Sequence, residues 1–247
     1  MQIQDLVSRR TDLSTFLVHL TRAQGAETAK QRLISILKQR KIVARSPFGP
    51  AIEGLKAKGQ SSDSQRCACF TETPLEYTHL LLGEIEGRDC QFEPYGVAIT
   101  KKQGRRRGVN PIWYVDITPG HDWLMNSINP LIKLHLNAQK PYETYGFAKI
   151  TPFIEQMGSG AYGHGLGGGY KKEFWWEREW RHLGDFDLPG KFIVLCPLNE
   201  ILEIKEAVNQ GVEEHDQLRA RCIDPRWGLE KIIGHLAGFD IDDLGPL

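Results

Sequence analysis

Two glutamates lie two positions apart in FWWEREWR, residues 174 to 181. Alternate side chains of a β-strand share a face, so the pattern predicts that Glu177, Glu179 and Arg181 point to the same side. Two carboxylates this close tend to raise the pKa of one of them. Such a pair suits chemistry in which one carboxylate stabilises a cationic sugar and the other takes a proton from a nucleophile. The alternative is a surface strand whose Glu–Arg pairs face solvent and contribute little energy.

A glycine-rich segment comes directly before this strand, with seven glycines between residues 158 and 169. It lacks the GxxxxGK[ST] spacing of a phosphate-binding loop. The conformational freedom of glycine favours a mobile loop that closes over a site or contacts a substrate. Tyr162, His164 and Tyr170 are then candidate substrate-binding residues. A plain flexible connection is the alternative.

Earlier in the chain, polar residues occur in two short apolar segments. His19 and Thr21 belong to FLVHLT, residues 16 to 21, and Thr71 and Thr73 belong to CFTETP. A lone histidine in such a run is more often structural than functional. Thr73 has a structural explanation, because TPLE has the form of a capping box with proline at the first helical position.

A cluster of five basic residues lies between residues 101 and 107, namely Lys101, Lys102, Arg105, Arg106 and Arg107. The spacing of the flanking apolar runs predicts a hairpin of residues 95–102 with 112–118, with these charges at its tip. Most such runs are solvated turns. The functional alternative is contact with the phosphates of a nucleic acid through the three arginines.

Length and composition indicate one ordinary globular domain. The chain has 247 residues, 40% hydrophobic and 25% charged, with zero formal net charge, so no overall field draws it to nucleic acid or membrane. The five cysteines include no CxxC pair, and we expect them to be reduced, with no metal bound. No signal peptide or membrane span is evident, which favours the cytoplasm.

Strands and helices mix without a βαβ rhythm, which predicts an α+β fold with a mixed, mostly antiparallel sheet and flanking helices. We expect a single domain over 1–247, with a core at 16–197 and a helical extension at 198–247. Residues 53–66 are polar and are predicted to form an exposed loop. The other predicted helices are 27–40, 73–83, SINPLIKLHL and GLEKIIGHLAGF, and the other predicted strands are 67–71, 146–151 and 191–197.

The order of HLT, CACFTETPLEY, EPYGVAITKK, a glycine-rich stretch and EFWWEREWR resembles the bacterial abortive-infection family AbiGi. The resemblance covers about residues 16 to 197. It implies a role in phage defence or in a toxin–antitoxin pair, with a cognate toxin or antitoxin as partner.

More distantly, the same order resembles ADP-ribosyltransferases, which implies a split sheet and NAD as a substrate. In that resemblance Glu179 stabilises an oxocarbenium-like transition state, and Glu177 orients or deprotonates the acceptor. Four further residues match the positions that hold NAD: His19, Thr21, Thr71 and Thr73.

Two functions therefore compete. One is an ADP-ribosyltransferase that modifies a macromolecular acceptor, either protein or nucleic acid. The other is a non-enzymatic antitoxin or sensor that binds a partner protein or nucleic acid. An enzyme needs Glu177 and Glu179 to line a cleft close to His19, whereas a binding module could leave them on an open strand. A nuclease is a weaker alternative, because no clustered metal-ligand set is evident.

Overall fold

The computed structural model describes residues 10–85, 88, 90–159, 171–211, 213 and 217–239. The helices of this part are α1 (Ala29–Gln39), α2 (Ile52–Ala57), α3 (Lys101–Arg106), α4 (Trp123–Leu136), α5 (Ile201–Asn209) and α6 (Leu229–Ala237). None of these helices is both long and apolar enough to cross a membrane.

The strands are short, and most belong to one sheet. They are β1 (Phe16–Leu20), β2 (Lys41–Ile42), β3 (Ser46–Pro47), β4 (Arg66–Thr71), β5 (Gly96–Thr100), β6 (Asn110–Pro111), β7 (Trp113–Asp116), β8 (Ile154–Ser159), β9 (Lys171–Lys172), β10 (Glu179–Leu183), β11 (Phe186–Asp187), β12 (Ile193–Leu195) and β13 (Arg221–Ile223). Several 3-10 helices connect them, including Leu75–Leu81 and Phe174–Glu177.

The main sheet has the order β13-β12-β5-β1-β4-β10-β6, with β3 also paired to β4. Its neighbours are antiparallel except for β12 and β13, which run parallel. A smaller sheet holds β7, β8 and β9, and β2 pairs with β11. The predicted α+β class with a mixed, mostly antiparallel sheet and flanking helices is confirmed.

Apolar side chains cover both faces of the main sheet. On one face α1 contributes buried Leu33 and Leu37, and α5 contributes Ile204. The side chain of Thr28 caps α1 through a capping box with Gln31, which explains why this helix begins where its apolar spacing begins. On the opposite face, the 3-10 helix Leu75–Leu81 and α6 pack against β1, β5 and β12.

The main sheet is open between β1 and β4. Every residue of β1 pairs with β5, and every residue of β10 pairs with β4. In the described chain, however, β1 and β4 share only the residue pair Val18–Thr71. β3 joins the same edge of β4 further along, at Arg66 and Cys67. The middle of this β4 edge therefore has no neighbouring strand, and an opening lies between β1 and β3.

Two local predictions are wrong because the polar segments concerned are helical. Residues 53–66 are not an open loop, since α2 buries Leu55 against α4 and a 3-10 turn covers Asp63–Gln65. The hairpin of 95–102 with 112–118 is absent, because β5 ends at Thr100. The side chain of Thr100 caps α3 through a capping box with Gln103, and β7 pairs with β8 instead.

Three further boundaries differ. Thr73 does not cap a helix, because the 3-10 helix Leu75–Leu81 begins after Pro74 without a side-chain cap. Residues 146–151 form 3-10 turns, and the strand begins only at Ile154. The segment after residue 197 is not purely helical, because it adds β13 to the main sheet through long-range pairing that local patterns do not encode.

Gly96 is required where β5 pairs with the end of β1. A Cβ atom there would lie 2.3 Å from the backbone carbonyl oxygen of His19. We expect Gly96→Ala to lower the free energy of unfolding by about 1–3 kcal/mol, as overpacking of a rigid core does. Gly190→Ala is the matched control, because its Cβ would meet no atom within 4 Å. Denaturant unfolding compares the two, and equal stabilities would contradict the predicted clash.

Candidate active site

The segment that carries the two glutamates is not one continuous strand, so this part of the prediction is wrong. Phe174–Glu177 is a 3-10 helix, Arg178 adopts a left-handed backbone conformation with φ of 48°, and β10 begins at Glu179. A non-glycine residue in this conformation costs on the order of 1 kcal/mol. The kink, rather than strand alternation, determines where Glu177 lies relative to Glu179.

A buried carboxylate, Glu72, fixes the kink. It is 7% exposed. It accepts hydrogen bonds from Arg178 Nη2 at 3.1 Å and from Trp180 Nε1 at 2.8 Å, and its Oε1 lies 2.5 Å from Lys101 Nζ. The backbone N–H of Glu72 also donates to the carbonyl of Arg178. These contacts offset the strained conformation of Arg178. A glutamate between two threonines at a strand end gave no sequence signal for this role.

A cavity of about 370 Å³, called the cleft from here on, occupies the opening between β1 and β3. Its volume is within the range of small-molecule sites. Four residues selected from the sequence line it, namely His19, Thr71, Glu177 and Glu179. The cleft at the open β4 edge therefore brings together side chains that lie up to 160 positions apart in the chain.

Glu179 is bound on both carboxylate oxygens by Arg181. Nε of Arg181 donates to Oε1 at 2.9 Å, and Nη2 donates to Oε2 at 2.7 Å. The guanidinium also donates to the carbonyl of Pro152 and to Glu155, each at 2.6 Å, and lies over the ring of Phe48. Burial disfavours this charge, but Glu179 and Glu155 together raise the pKa of Arg181 well above its usual value. The planar fork of donors fixes the orientation of Glu179.

Glu177 has a raised pKa, and one of its carboxylate oxygens lacks a close hydrogen-bond partner in the described chain. Burial and the nearby charge of Glu179 raise its pKa to about 7, and Arg88 opposes this only in part. Nη1 of Arg88 is 3.6 Å from Oε1 of Glu177, which is an ion-pair distance but too long for a hydrogen bond. Neither atom has a hydrogen-bond partner within the described residues. Near neutral pH the side chain of Glu177 can therefore accept or release a proton.

His19 is a neutral imidazole of defined tautomer. Its Nδ1 is 2.7 Å from the carbonyl oxygen of Cys69 in the open β4 edge, and a carbonyl only accepts, so Nδ1 carries the hydrogen. Burial, with a smaller contribution from the nearby Arg32, lowers the pKa of His19 to about 4. The other nitrogen, Nε2, is therefore unprotonated and is an acceptor for a ligand hydroxyl.

The three threonines have mainly structural contacts. The hydroxyl of Thr71 lines the cleft but donates to the carbonyl of Glu177 at 2.6 Å, which positions that glutamate. Thr73 hydrogen-bonds to Thr71 and is not among the residues lining the cleft. Thr21 is buried and donates to the carbonyl of Ala29, also outside the cleft lining. The structure thus does not bring Thr21 and Thr73 to the cleft.

The remaining predicted residues lie elsewhere. Arg105 and Arg106 are exposed on α3 and Arg107 directly follows it, not at a hairpin tip and not among the residues lining the cleft. Tyr162, His164 and Tyr170, with most of the glycine-rich segment, fall outside the described residues.

The cysteine thiols that line the cleft have raised pKa values, which disfavours the reactive thiolate. All five cysteines are free. Cys67, Cys69 and Cys90 line the cleft, and burial raises the pKa of all three thiols. Within the described part of the chain, no group of three His, Cys, Asp or Glu side chains is arranged to hold a metal ion.

Two neighbours of Glu179 were missed by the sequence analysis. The hydroxyl of Tyr114, on β7, accepts the backbone N–H of Glu179 at 2.9 Å. Glu155, on β8, pairs with the guanidinium of Arg181. Both come from the smaller sheet, whose docking against β10 leaves no local pattern in the sequence.

Comparison of the chain with protein-family models, curated proteins and solved structures found no match. Functional inference therefore rests on the geometry of the cleft.

Arg181→Met should be strongly destabilising, because it leaves the partly buried carboxylates of Glu179 and Glu155 without the buried cation that they share. Removing one partner of a buried ion pair typically costs about 3–5 kcal/mol. Arg66→Ala is the control, since Arg66 forms an exposed pair with Asp63 and should change stability by about 0.5 kcal/mol or less. Urea unfolding at neutral pH measures both, and comparable losses in the two variants would argue against the central role of Arg181.

The raised pKa of Glu177 predicts a pH-dependent change in stability. The folded protein holds this proton up to about pH 7, whereas the unfolded chain releases it near 4.5. Between these values the folded state binds more protons, so stability must fall as pH rises. Relative to Glu177→Gln, the wild type should lose up to about 3 kcal/mol of unfolding free energy between pH 4.5 and 8. Parallel stability curves for the two proteins would show that the carboxyl titrates normally.

Proposed function

We propose that the protein is an ADP-ribosyltransferase that uses NAD and modifies a macromolecular acceptor. One observation carries the proposal. A single cleft at an opening in the sheet contains a neutral histidine acceptor and two glutamates, one bound by a guanidinium and the other with a pKa near 7.

In this reaction the bond between C1′ of the ribose and the nicotinamide nitrogen breaks, and nicotinamide leaves with the bonding electrons. Positive charge then develops on the ribose. Arg181 is shared by Glu179 and Glu155, so this group of three side chains carries excess negative charge. A fixed negative charge beside a developing cation lowers the barrier without reorganisation during the reaction. Glu179 is the member of this group that we assign to the cation.

Glu177 is suited to the proton transfer. The acceptor nucleophile attacks C1′ and loses a proton, which the ionised carboxylate of Glu177 takes. A general base is most effective when its pKa is close to the working pH, and a value near 7 meets this condition. The Thr71 hydroxyl holds the backbone of this residue, so its side chain enters the cleft from a fixed point.

His19 is suited to binding rather than to proton transfer, because a pKa near 4 keeps it neutral at physiological pH. Its Nε2 can accept a hydrogen bond from a ribose hydroxyl. The bond from Nδ1 to the carbonyl of Cys69 fixes the ring orientation. Among the NAD-binding residues implied by the family resemblance, this leaves His19 as the side chain with an unused polar atom at the cleft.

The competing function is a binding module in which the Glu179–Arg181 pair only stabilises the fold. Both oxygens of Glu179 are engaged by Arg181. A carboxylate nevertheless has about four acceptor positions, so a ligand hydroxyl can still bind. The enclosure of Glu177 and His19 with Glu179 favours catalysis over an open charged strand. A role in phage defence, with a cognate toxin or antitoxin, rests on the family resemblance alone.

The direct test is incubation of the protein with NAD labelled on the adenylate and a bacterial lysate, followed by separate treatment with protease and with nuclease. Transfer of label to a polymer supports the proposal, and the treatment that removes the label identifies the acceptor as protein or nucleic acid. The exposed arginines 105 to 107 suit phosphate contact, so a nucleic-acid acceptor is one expected result. Absence of both transfer and NAD cleavage would contradict the proposal.

Glu179→Gln should reduce the rate of nicotinamide release by about 10²–10³, because one charge-stabilising contact in the transition state is worth roughly 3–4 kcal/mol. Glu53→Gln, at an exposed position on α2, serves as the matched control and should keep full activity. Nicotinamide release is followed by chromatography, and thermal unfolding confirms that both variants are folded. A folded Glu179→Gln variant with wild-type turnover would remove this residue from the mechanism.

A further inference from the structure

Three arginines line the part of the cleft formed by the segments that surround α1. Arg22 follows β1, Arg32 is on α1, and Arg45 precedes β3. They approach the cleft from three separate segments, so their convergence is a property of the tertiary fold. None of them belongs to a motif selected from the sequence.

These charges are only partly balanced. Arg45 pairs with Glu27 at 2.8 Å, and both side chains are exposed. Arg22 and Arg32 form no ion pair with an acidic residue in the described chain. The Nη1 of Arg32 instead donates to the backbone carbonyl of Arg22 at 2.9 Å, which holds the two residues together.

The arginines also act on one another. Burial and the positive charges of Arg45 and Arg22 lower the pKa of Arg32, and Glu27 counteracts this only partly. Mutual repulsion among cations that line a cavity costs free energy, which a bound anion would recover. Guanidinium groups match the geometry of phosphate oxygens, with two parallel N–H donors per group.

The cleft is therefore polarised. On one side, Arg88 and Arg181 pair with three carboxylates and balance them only in part, namely Glu155, Glu177 and Glu179. The other side, the basic side, carries the three arginines of the segments around α1. Arg32 is close enough to His19 to contribute to lowering the histidine pKa, so the basic side adjoins the imidazole. A ligand that fits this arrangement has an uncharged or cationic end and an anionic end.

We infer that Arg22, Arg32 and Arg45 form a subsite for the pyrophosphate of a dinucleotide, which places the ribosyl bond next to Glu177 and Glu179. This assignment rests on the proposed function for the identity of the ligand, whereas the affinity for pyrophosphate itself follows from the arginines. The pyrophosphate subsite and the proposed reaction can therefore be tested, and rejected, independently of each other.

The test is isothermal titration calorimetry with inorganic pyrophosphate, ADP-ribose and inorganic phosphate. Wild-type protein should bind pyrophosphate and ADP-ribose, and should bind single phosphate more weakly. The double variant Arg32→Gln/Arg45→Ala should lose about tenfold or more in affinity for both diphosphates, because each charge-assisted hydrogen bond contributes roughly a tenfold factor. The matched control is Arg219→Ala/Arg221→Ala, which removes two exposed charges outside the cleft lining and should bind as the wild type does.

Each outcome is decisive for the subsite. Equal binding by the cleft variant and the control would overturn it, as would no binding of pyrophosphate by the wild type at millimolar concentration. If Arg32→Gln/Arg45→Ala does not fold, Arg45→Ala alone is used, since Arg45 is exposed and its removal leaves the Arg32–Arg22 hydrogen bond in place. If the cleft variant alone loses diphosphate binding and the wild type shows neither ADP-ribosyl transfer nor NAD cleavage in lysate, the subsite is retained and the proposed reaction is rejected.

Discussion

The buried guanidinium of Arg181 is the interaction on which the arrangement of the cleft depends. It is 1% exposed and joins three separate parts of the chain: β10 through Glu179, β8 through Glu155, and the turn before β8 through the carbonyl of Pro152. A cation at this depth is tolerated only where its donors are satisfied. The smaller sheet must therefore dock against β10 in one register, and that docking also brings Tyr114 to the backbone of Glu179.

The left-handed backbone of Arg178 is a second constraint, because it places Glu177 and Glu179 in different surroundings. The left-handed Arg178 ends the 3-10 helix, so Glu177 occupies a partly buried position beside Arg88, while Glu179 begins the strand and pairs with Arg181. The pKa of Glu177 is raised to about 7, while Glu179 is held in an ion pair with Arg181. A carboxyl group that titrates near neutral pH beside a carboxylate fixed by a cation suits a site that combines proton transfer with charge stabilisation.

The sequence predicted features whose signals are local. The helix α1 follows from its apolar spacing, and β4 follows from a short apolar run with turn residues after it. The same reasoning could have found α3, because Thr100 and Gln103 have capping-box spacing. The polar appearance of residues 53–66 concealed a single buried leucine, Leu55, which is enough to dock a short helix.

The sequence indicated several residues of the candidate site, but it did not indicate how they are arranged. Glu177 and Glu179 line one cleft with His19. Their relative positions depend on a backbone kink at Arg178, which the residue type there does not predict. Arg178 is neither glycine nor asparagine, so its conformation depends on the distant carboxylate of Glu72. The partners Glu155 and Tyr114, and the three arginines, depend likewise on contacts between segments far apart in the chain.

The incomplete edge of β4 has a consequence for the durability of any inhibitor. Residues 68–70 of β4 line the cleft, and at these positions a neighbouring strand of the described chain covers only the edge of β4 that faces β10, so the opposite main-chain edge is uncovered. Side-chain substitution does not remove a peptide carbonyl, and only proline removes a peptide N–H. A compound anchored on this edge would retain its contacts through most single-residue changes, so escape mutations would have to act on the width of the opening rather than on the contacts themselves.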